Sequence, residues 1–234
     1  MTMNDEPKPF VEHLEELRGR LAIALLAVAL LSSGSYLYVE RILELLARPA
    51  GGFVFLRPAD AFLVRLKISL LSGVLLAIPL LIYEIWRFVG VALTPSERRL
   101  TLGVLPFSYA LFLAGAATAW FVVLPVAVRF LLGFATQDLR PMLSVDAYVS
   151  FAAWFTLAFG LTFQLPIAVF FLVKAGIATP RSLAYHRRHV ILGLAILAAL
   201  LTPGPDLFSQ LALLVPTYLL YEVSIGIARW TYRK

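Results

Sequence analysis

The chain contains no cysteine, so disulfides, thiolate nucleophiles and cysteine-bearing metal sites are excluded. Charge is scarce as well. Asp, Glu, Lys and Arg make up 15% of 234 residues, against about 25% in a soluble domain. No Gly-rich phosphate loop, Gly-x-Ser-x-Gly elbow or Ser–His arrangement is present, which leaves no basis for a nucleotide motor and little for a hydrolase. What the chain does have is hydrocarbon. Hydrophobic residues reach 61%, and the mean hydropathy is +0.87. A water-soluble protein this apolar would expose large aggregating patches. A soluble globular enzyme and a disordered chain are therefore ruled out in favour of a bilayer protein. Twenty Lys+Arg against 14 Asp+Glu give a net charge of +6. In a soluble chain that excess would suggest nucleic acid. Here the charges stand between apolar blocks and are read first as topology.

The charges divide the chain into six long charge-free runs: 21–39, 68–83, 100–128, 147–173, 189–205 and 207–221. A helix needs about 20 apolar residues to cross a hydrocarbon core of about 30 Å. The first four runs reach that length, the second by continuing through Glu84 to Val89. Barrel strands would be about 10 residues long with strict alternation, which Leu21-Ala22-Ile23-Ala24-Leu25-Leu26 does not show. The first run lacks a clear small-residue cleavage site and is read as a span rather than a signal peptide. The expectation is an all-α membrane domain over residues 1–234. Its six bent spans lie near 20–39, 66–89, 100–130, 147–173, 189–204 and 207–227.

The last two runs are short and meet at Thr202-Pro203-Gly204-Pro205-Asp206. At about 1.5 Å per residue each covers roughly 22–26 Å, less than the core thickness. A tight hairpin would thin the bilayer locally. Alternatively, each helix extends past its flanking charges as Arg188 or Arg229 snorkels. The two readings stand level. Pro79, Pro106, Pro125, Pro166 and Pro216 fall in or near spans, where each removes a backbone donor and can bend its helix.

Six spans put both termini on one side. Thirteen Lys and Arg fall on that side and seven on the other, so the positive-inside rule places both termini in the cytoplasm. The outer connections, about 40–66 and 132–146, are long enough to form small caps.

Several polar groups need a reason. In His13-Leu14-Glu15-Glu16-Leu17-Arg18-Gly19-Arg20, helical spacing puts His13, Glu16 and Arg20 on one face. The local reading is an interfacial helix with a Glu16–Arg20 pair. The functional reading is a cytoplasmic carboxylate open to a basic ligand. Thr94, Pro95 and Glu97 form a capping box for the third span, though Glu97 could also face a ligand. Glu84 and Glu222 lie near cytoplasmic ends. Gln164, inside a charge-free run, needs a partner on another helix or a watery recess, and so does Gln210. His186 and His189 lack further metal ligands nearby and adjoin two arginines, so no metal is expected.

These stretches, taken together, resemble the TatC family, the polytopic core subunits of the twin-arginine protein translocase. The resemblance rests on His13 to Arg20, on Phe88 followed by Leu93 to Arg99, and on Trp120 to Pro125. It also rests on Ala158-Phe159-Gly160 with Phe163 to Pro166, and on Leu201-Thr202-Pro203 with Asp206 to Gln210. It implies six bent helices in a cupped-hand bundle in the bacterial cytoplasmic (inner) membrane. It implies a receptor, not an enzyme, that needs no cofactor and binds folded cargo carrying paired-arginine signal peptides. It implies assembly with TatA and TatB, contact with membrane lipids, self-association, and transport driven by the proton-motive force.

By the resemblance, Glu16 and Glu97 match cytoplasmic acidic positions, where two arginine forks would meet carboxylates bidentately. Phe88 would pack against the signal, and Arg18 would orient Glu16 or its helix. Gln164 stands where the family usually has a buried Glu: it keeps the hydrogen-bonding capacity and loses the charge. Val91 replaces a common Pro, and Gly204 looks inserted. Gln164, Gln210 and Asp206 would form the intramembrane polar set that receives partner helices. The competing reading is a small-solute secondary transporter, which calls for a midplane site and usually inverted repeats.

Overall fold

The computed structural model describes residues 10–47, 53–89, 95–134, 142–201 and 207–232. Val91, Thr94, Gly204 and Asp206 lie outside the described residues. Among the described residues ten α-helices follow in order: α1 Phe10–Ser35, α2 Val39–Ala47, α3 Asp60–Val89, α4 Pro95–Thr118 and α5 Leu124–Leu132. They continue with α6 Val145–Thr162, α7 Leu165–Lys174, α8 Pro180–Tyr185, α9 Arg187–Leu201 and α10 Leu207–Tyr232.

The charge-free gaps become helices that run unbroken through Pro79, Pro106 and Pro216 and are interrupted beside Pro125 and Pro166. Between α4 and α5, Ala119–Val123 forms a π-helical turn just before Pro125. Pro125 cannot donate to a carbonyl four residues back, and the wider turn accommodates that lost bond. The fourth gap breaks at Phe163-Gln164. Gln164 caps α7 with Pro166 in its first turn, and the Gln164 N–H donates to the Leu161 carbonyl at 3.0 Å. α7 stops at Gly176, whose φ of +70° suits a residue without Cβ. Thr179 then starts α8 by accepting from the Ser182 N–H at 3.1 Å.

Among the described residues five helical stretches are long and apolar enough to cross a membrane: Leu14–Leu46, Asp60–Phe88, Gly103–Phe130, Val145–Lys174 and Leu207–Trp230. The expected fifth span, α9, has 15 helical residues. At about 1.5 Å per residue it covers roughly 22 Å, which keeps it out of that set.

Helix association in lipid gains little from hydrophobic burial and relies on close approach and hydrogen bonds. Small residues supply the approach. α1 runs antiparallel to α3, with Ser32 pressed so closely on Gly73 that a Cβ there would sit 2.5 Å from the Ser32 nitrogen. Ser69 donates to the Ser32 carbonyl in the same seam. α4 meets α6 through Gly115 and Gly160. A Cβ on Gly115 would lie 2.5 Å from the Phe159 carbonyl oxygen, and one on Gly160 2.4 Å from the Phe112 ring. The most apolar stretch of the first span is only 11% buried, so most of its leucines are left exposed by the rest of the protein.

The described parts of the two long connections, about 40–66 and 132–146, meet. Val54 N–H donates to Leu143 O at 3.0 Å, and Val145 N–H donates to Val54 O at 3.2 Å. Asp60, 1% exposed, accepts from the backbone of Leu56 and Arg57 and from the Arg57 side chain. Lys67 reaches Asp146 and, at 2.9 Å, the Ser150 hydroxyl. Beneath this cap Val39, Leu46, Val64, Val128, Val145 and Tyr148 share one buried cluster.

Candidate functional site

At the opposite end from the cap, α1 begins, α3 ends and α4 begins. Arg20 joins the first two. Its Nη1 donates to Glu84 Oε2 at 3.1 Å, and its Nη2 bonds Glu16 Oε1. The i,i+4 pair expected from spacing is therefore present, but it is half of a three-residue cluster. The three side chains are 12% (Arg20), 8% (Glu84) and 21% (Glu16) exposed. Arg18, expected to orient Glu16, is exposed, and the guanidinium that meets Glu16 belongs to Arg20. Phe88, half-buried, lies one turn beyond Glu84 on the same face of α3.

Glu97 is the third residue of α4, and its side chain lies outside the described residues. Pro95 opens the helix, as its missing N–H allows. Five residues separate α3 from α4, so chain reach alone holds the two helix ends within roughly 20 Å of each other. Glu16, Glu84, Phe88 and the residue bearing Glu97 thus collect at one end of the bundle.

A second polar group lies deeper. Gln164 Oε1 accepts from the Ser108 hydroxyl, and its Nε2 donates to the Ser108 carbonyl at 3.0 Å. Trp86 Nε1 donates to the same hydroxyl at 3.5 Å. Ser108 is fully buried. The network ties α3, α4 and the α6–α7 break, and Phe171 of α7 packs 4.3 Å from the Trp86 ring. Each end of the amide is therefore occupied by Ser108. Gln210 is half-buried in the first turn of α10, next to the fully buried Ser209. The structure does not bring Gln210 to Gln164 through any described bond. Asp206 lies outside the described residues.

Trp86 against Phe171 also shows that α7 ends on the same side as α3. On that side Arg187 meets Glu222 at 2.7 Å, and Tyr218 donates to Glu222 at 2.7 Å. The His186 and His189 rings lie 5.7 Å apart between centroids, tilted by 50°, and no group of three metal-ligating side chains occurs among the described residues.

Bent apolar helices with a charged cluster at one end and a buried amide break are a specific arrangement, and they can be compared with known proteins. The TatC family model, described as Sec-independent protein translocase protein (TatC), matches residues 12–216. The chain belongs to the TatC family. It is 40% identical over 232 residues to the Sec-independent protein translocase protein TatC of Carboxydothermus hydrogenoformans, covering 97% of this chain and 96% of that one. It is 37% identical to TatC of Aquifex aeolicus over 97% of both chains. A solved structure described as the twin arginine translocase receptor TatC superposes with a TM-score of 0.83 at 37% identity. That match covers 93% of this chain and 98% of the solved one. This TatC-family chain is thus a membrane protein of a protein translocase.

Sequence reasoning paired Glu16 with Arg20, placed Glu84 near the end of its span and gave Gln164 the need for a partner. It missed Arg20 as the bridge between helices, and it missed Ser108 and Trp86. The one available signal for Ser108 was a serine deep in a charge-free run.

Proposed function

We propose that this chain is the signal receptor of a twin-arginine translocase, a single integral membrane domain in the cytoplasmic membrane. It crosses six times, with α9 as the short fifth span, and keeps both termini in the cytoplasm. Glu16 and Glu97 accept the paired arginines of a cargo signal peptide, Phe88 packs against the signal, and Arg18 orients the helix that carries Glu16. Gln164, Gln210 and Asp206 supply polar contacts for the single-span partners TatA and TatB, and the proton-motive force drives export. The reading excludes an enzymatic role.

The observation that carries it is the collection of Glu16, Glu84 and Phe88 beside the start of the Glu97-bearing helix, in a chain of this family. Arginine suits such a site because each planar fork can meet a carboxylate bidentately at fixed geometry, which an ammonium cannot do.

The test is binding of a peptide with an Arg-Arg pair and an apolar tail to the purified protein. A charge-assisted hydrogen bond contributes about 1.5–3 kcal/mol, so Glu16→Ala and Glu97→Ala should each weaken binding roughly ten- to hundredfold. A Lys-Lys peptide should bind more weakly than Arg-Arg. Equal binding of the two peptides, or normal binding by both variants, would overturn the assignment.

A further inference from the structure

We propose that Arg181, Tyr185 and Arg188 form a binding face for the headgroup phosphates of anionic phospholipids. Signal-peptide binding plays no part in it.

None of the 14 acidic residues falls between Asp146 and Asp206, yet that stretch holds Lys174, Arg181, Arg187 and Arg188. The basic segment is fastened rather than left as a loose loop. The Ile177 and Ala178 N–H groups both donate to the Leu172 carbonyl at 3.0 Å, which closes α7. Tyr221 of α10 donates to the Leu183 carbonyl at 2.9 Å. The His186 N–H donates to Ser182 O and the Val190 N–H to His186 O, each at 3.0 Å, so the helical path continues from α8 into α9.

At 3.6 residues per turn, Leu183, Arg187 and Val190 fall on one side of that path, and Arg181, Tyr185 and Arg188 on the other. The first side is occupied. Leu183, Ala184 and Val190 pack against Val169, Tyr221 and Ile225, and Arg187 bonds Glu222. The second side is open. Arg181 and Arg188 are exposed, and Tyr185 between them is 83% exposed. Among the described residues neither arginine has an ion-pair partner.

The chain itself points to lipid as the occupant. The segment stands between the charge-free runs 147–173 and 189–205, so it emerges at the bilayer surface. Tyr185 and, at the same end of the molecule, Trp230, 72% exposed, carry amphipathic rings suited to the headgroup level. A guanidinium meets phosphate oxygens bidentately. Seven residues separate the two arginines, about 10 Å along the path, so each can hold its own phosphate. In the proposed orientation this face meets the cytoplasmic leaflet, whose surface potential is negative.

The experiment is native mass spectrometry of the full-length protein in detergent, titrated with phosphatidylglycerol or with zwitterionic phosphatidylcholine. Phosphatidylglycerol should bind more tightly. A basic residue near an anionic surface contributes about fivefold in affinity, so Arg181→Gln and Arg188→Gln should each weaken phosphatidylglycerol binding about fivefold. The double variant should lose about tenfold to thirtyfold and leave phosphatidylcholine binding unchanged. Arg41→Gln/Arg129→Gln removes the same charge from exposed positions at the cap end and should bind as the wild type does. Glycerol 3-phosphate at the same concentration as the lipid should not compete. Equal binding of the two lipids, or unweakened phosphatidylglycerol binding by the double variant, would overturn the proposal. An equal loss in the cap-end control would reduce it to net charge and overturn it as well. Competition by glycerol 3-phosphate, or displacement of the lipid by an acidic peptide, would assign the face to a soluble anion or a protein partner instead.

Discussion

Gln164 is held at both ends by one residue, and that sets what its loss would do. In Gln164→Leu the Ser108 carbonyl and hydroxyl each lose a partner in a fully buried position. An unsatisfied buried polar group costs about 1–3 kcal/mol. The thermal unfolding temperature in detergent should fall, and transport should be impaired while Arg-Arg peptide binding is kept. Wild-type stability and transport in the variant would remove the proposed role. The need of Gln164 for a partner was legible from its place in an apolar run, but the identity of the partner was not. Serine and threonine in a helix commonly bond the carbonyl four residues back, as Ser33 does to Ala29 and Thr118 to Ala114. Ser108 instead turns outward to Gln164 and Trp86, and no local pattern distinguishes the two behaviours.

At the level of elements, the helices are set by what the small residues allow. Gly160 admits the Phe112 ring where any side chain would collide with it, while Gly193 in α9 has open space around its Cβ position. Gly160→Val should therefore destabilise the α4–α6 contact by about 1–3 kcal/mol through overpacking. Gly193→Ala should be neutral or stabilise by up to about 1 kcal/mol through helix propensity. Parallel thermal melts check both, and equal melting temperatures for the two variants would contradict the contact. The charge-free gaps predicted where helices lie, because a charge in hydrocarbon is costly at any position. They did not predict the π-helical turn before Pro125 or the break at Gln164. A proline shows that a bond is lost but not how the chain around it adjusts.

For the whole molecule, ion pairs gather at two ends with apolar helix between. Arg20–Glu84 and Arg187–Glu222 lie at one end, Arg57–Asp60 and Lys67–Asp146 at the other. The charge-free runs made that separation of charge from apolar helix legible. The pairings were not, since Lys67 and Asp146 are 79 positions apart and Arg20 and Glu84 are 64 apart. The absence of cysteine makes the orientation directly testable. Phe55 near the cap is 61% exposed, and Ile177 at the other end is 74% exposed. A membrane-impermeant maleimide should label Phe55→Cys in intact spheroplasts and Ile177→Cys only after lysis, and the reverse pattern would invert the proposed topology. The cap has its own test. Lys67→Met and Asp146→Asn should together lower stability by less than the sum of their separate effects, with a coupling of about 0.5–3 kcal/mol in a double-mutant cycle. Additive effects would mean the clamp is not energetically coupled. The Arg20 bridge also bears on how the chain is made. Glu84 is an enclosed carboxylate, and burial of an unpaired charge is costly. Its counter-ion lies in α1, which is synthesised first and can stay in lipid on its own, since it is barely buried and carries Glu16 to pair with Arg20. When α3 leaves the ribosome, the cation it needs is already waiting at the correct leaflet. The order of the helices along the chain thus supplies the neutralising group before the charge that requires it.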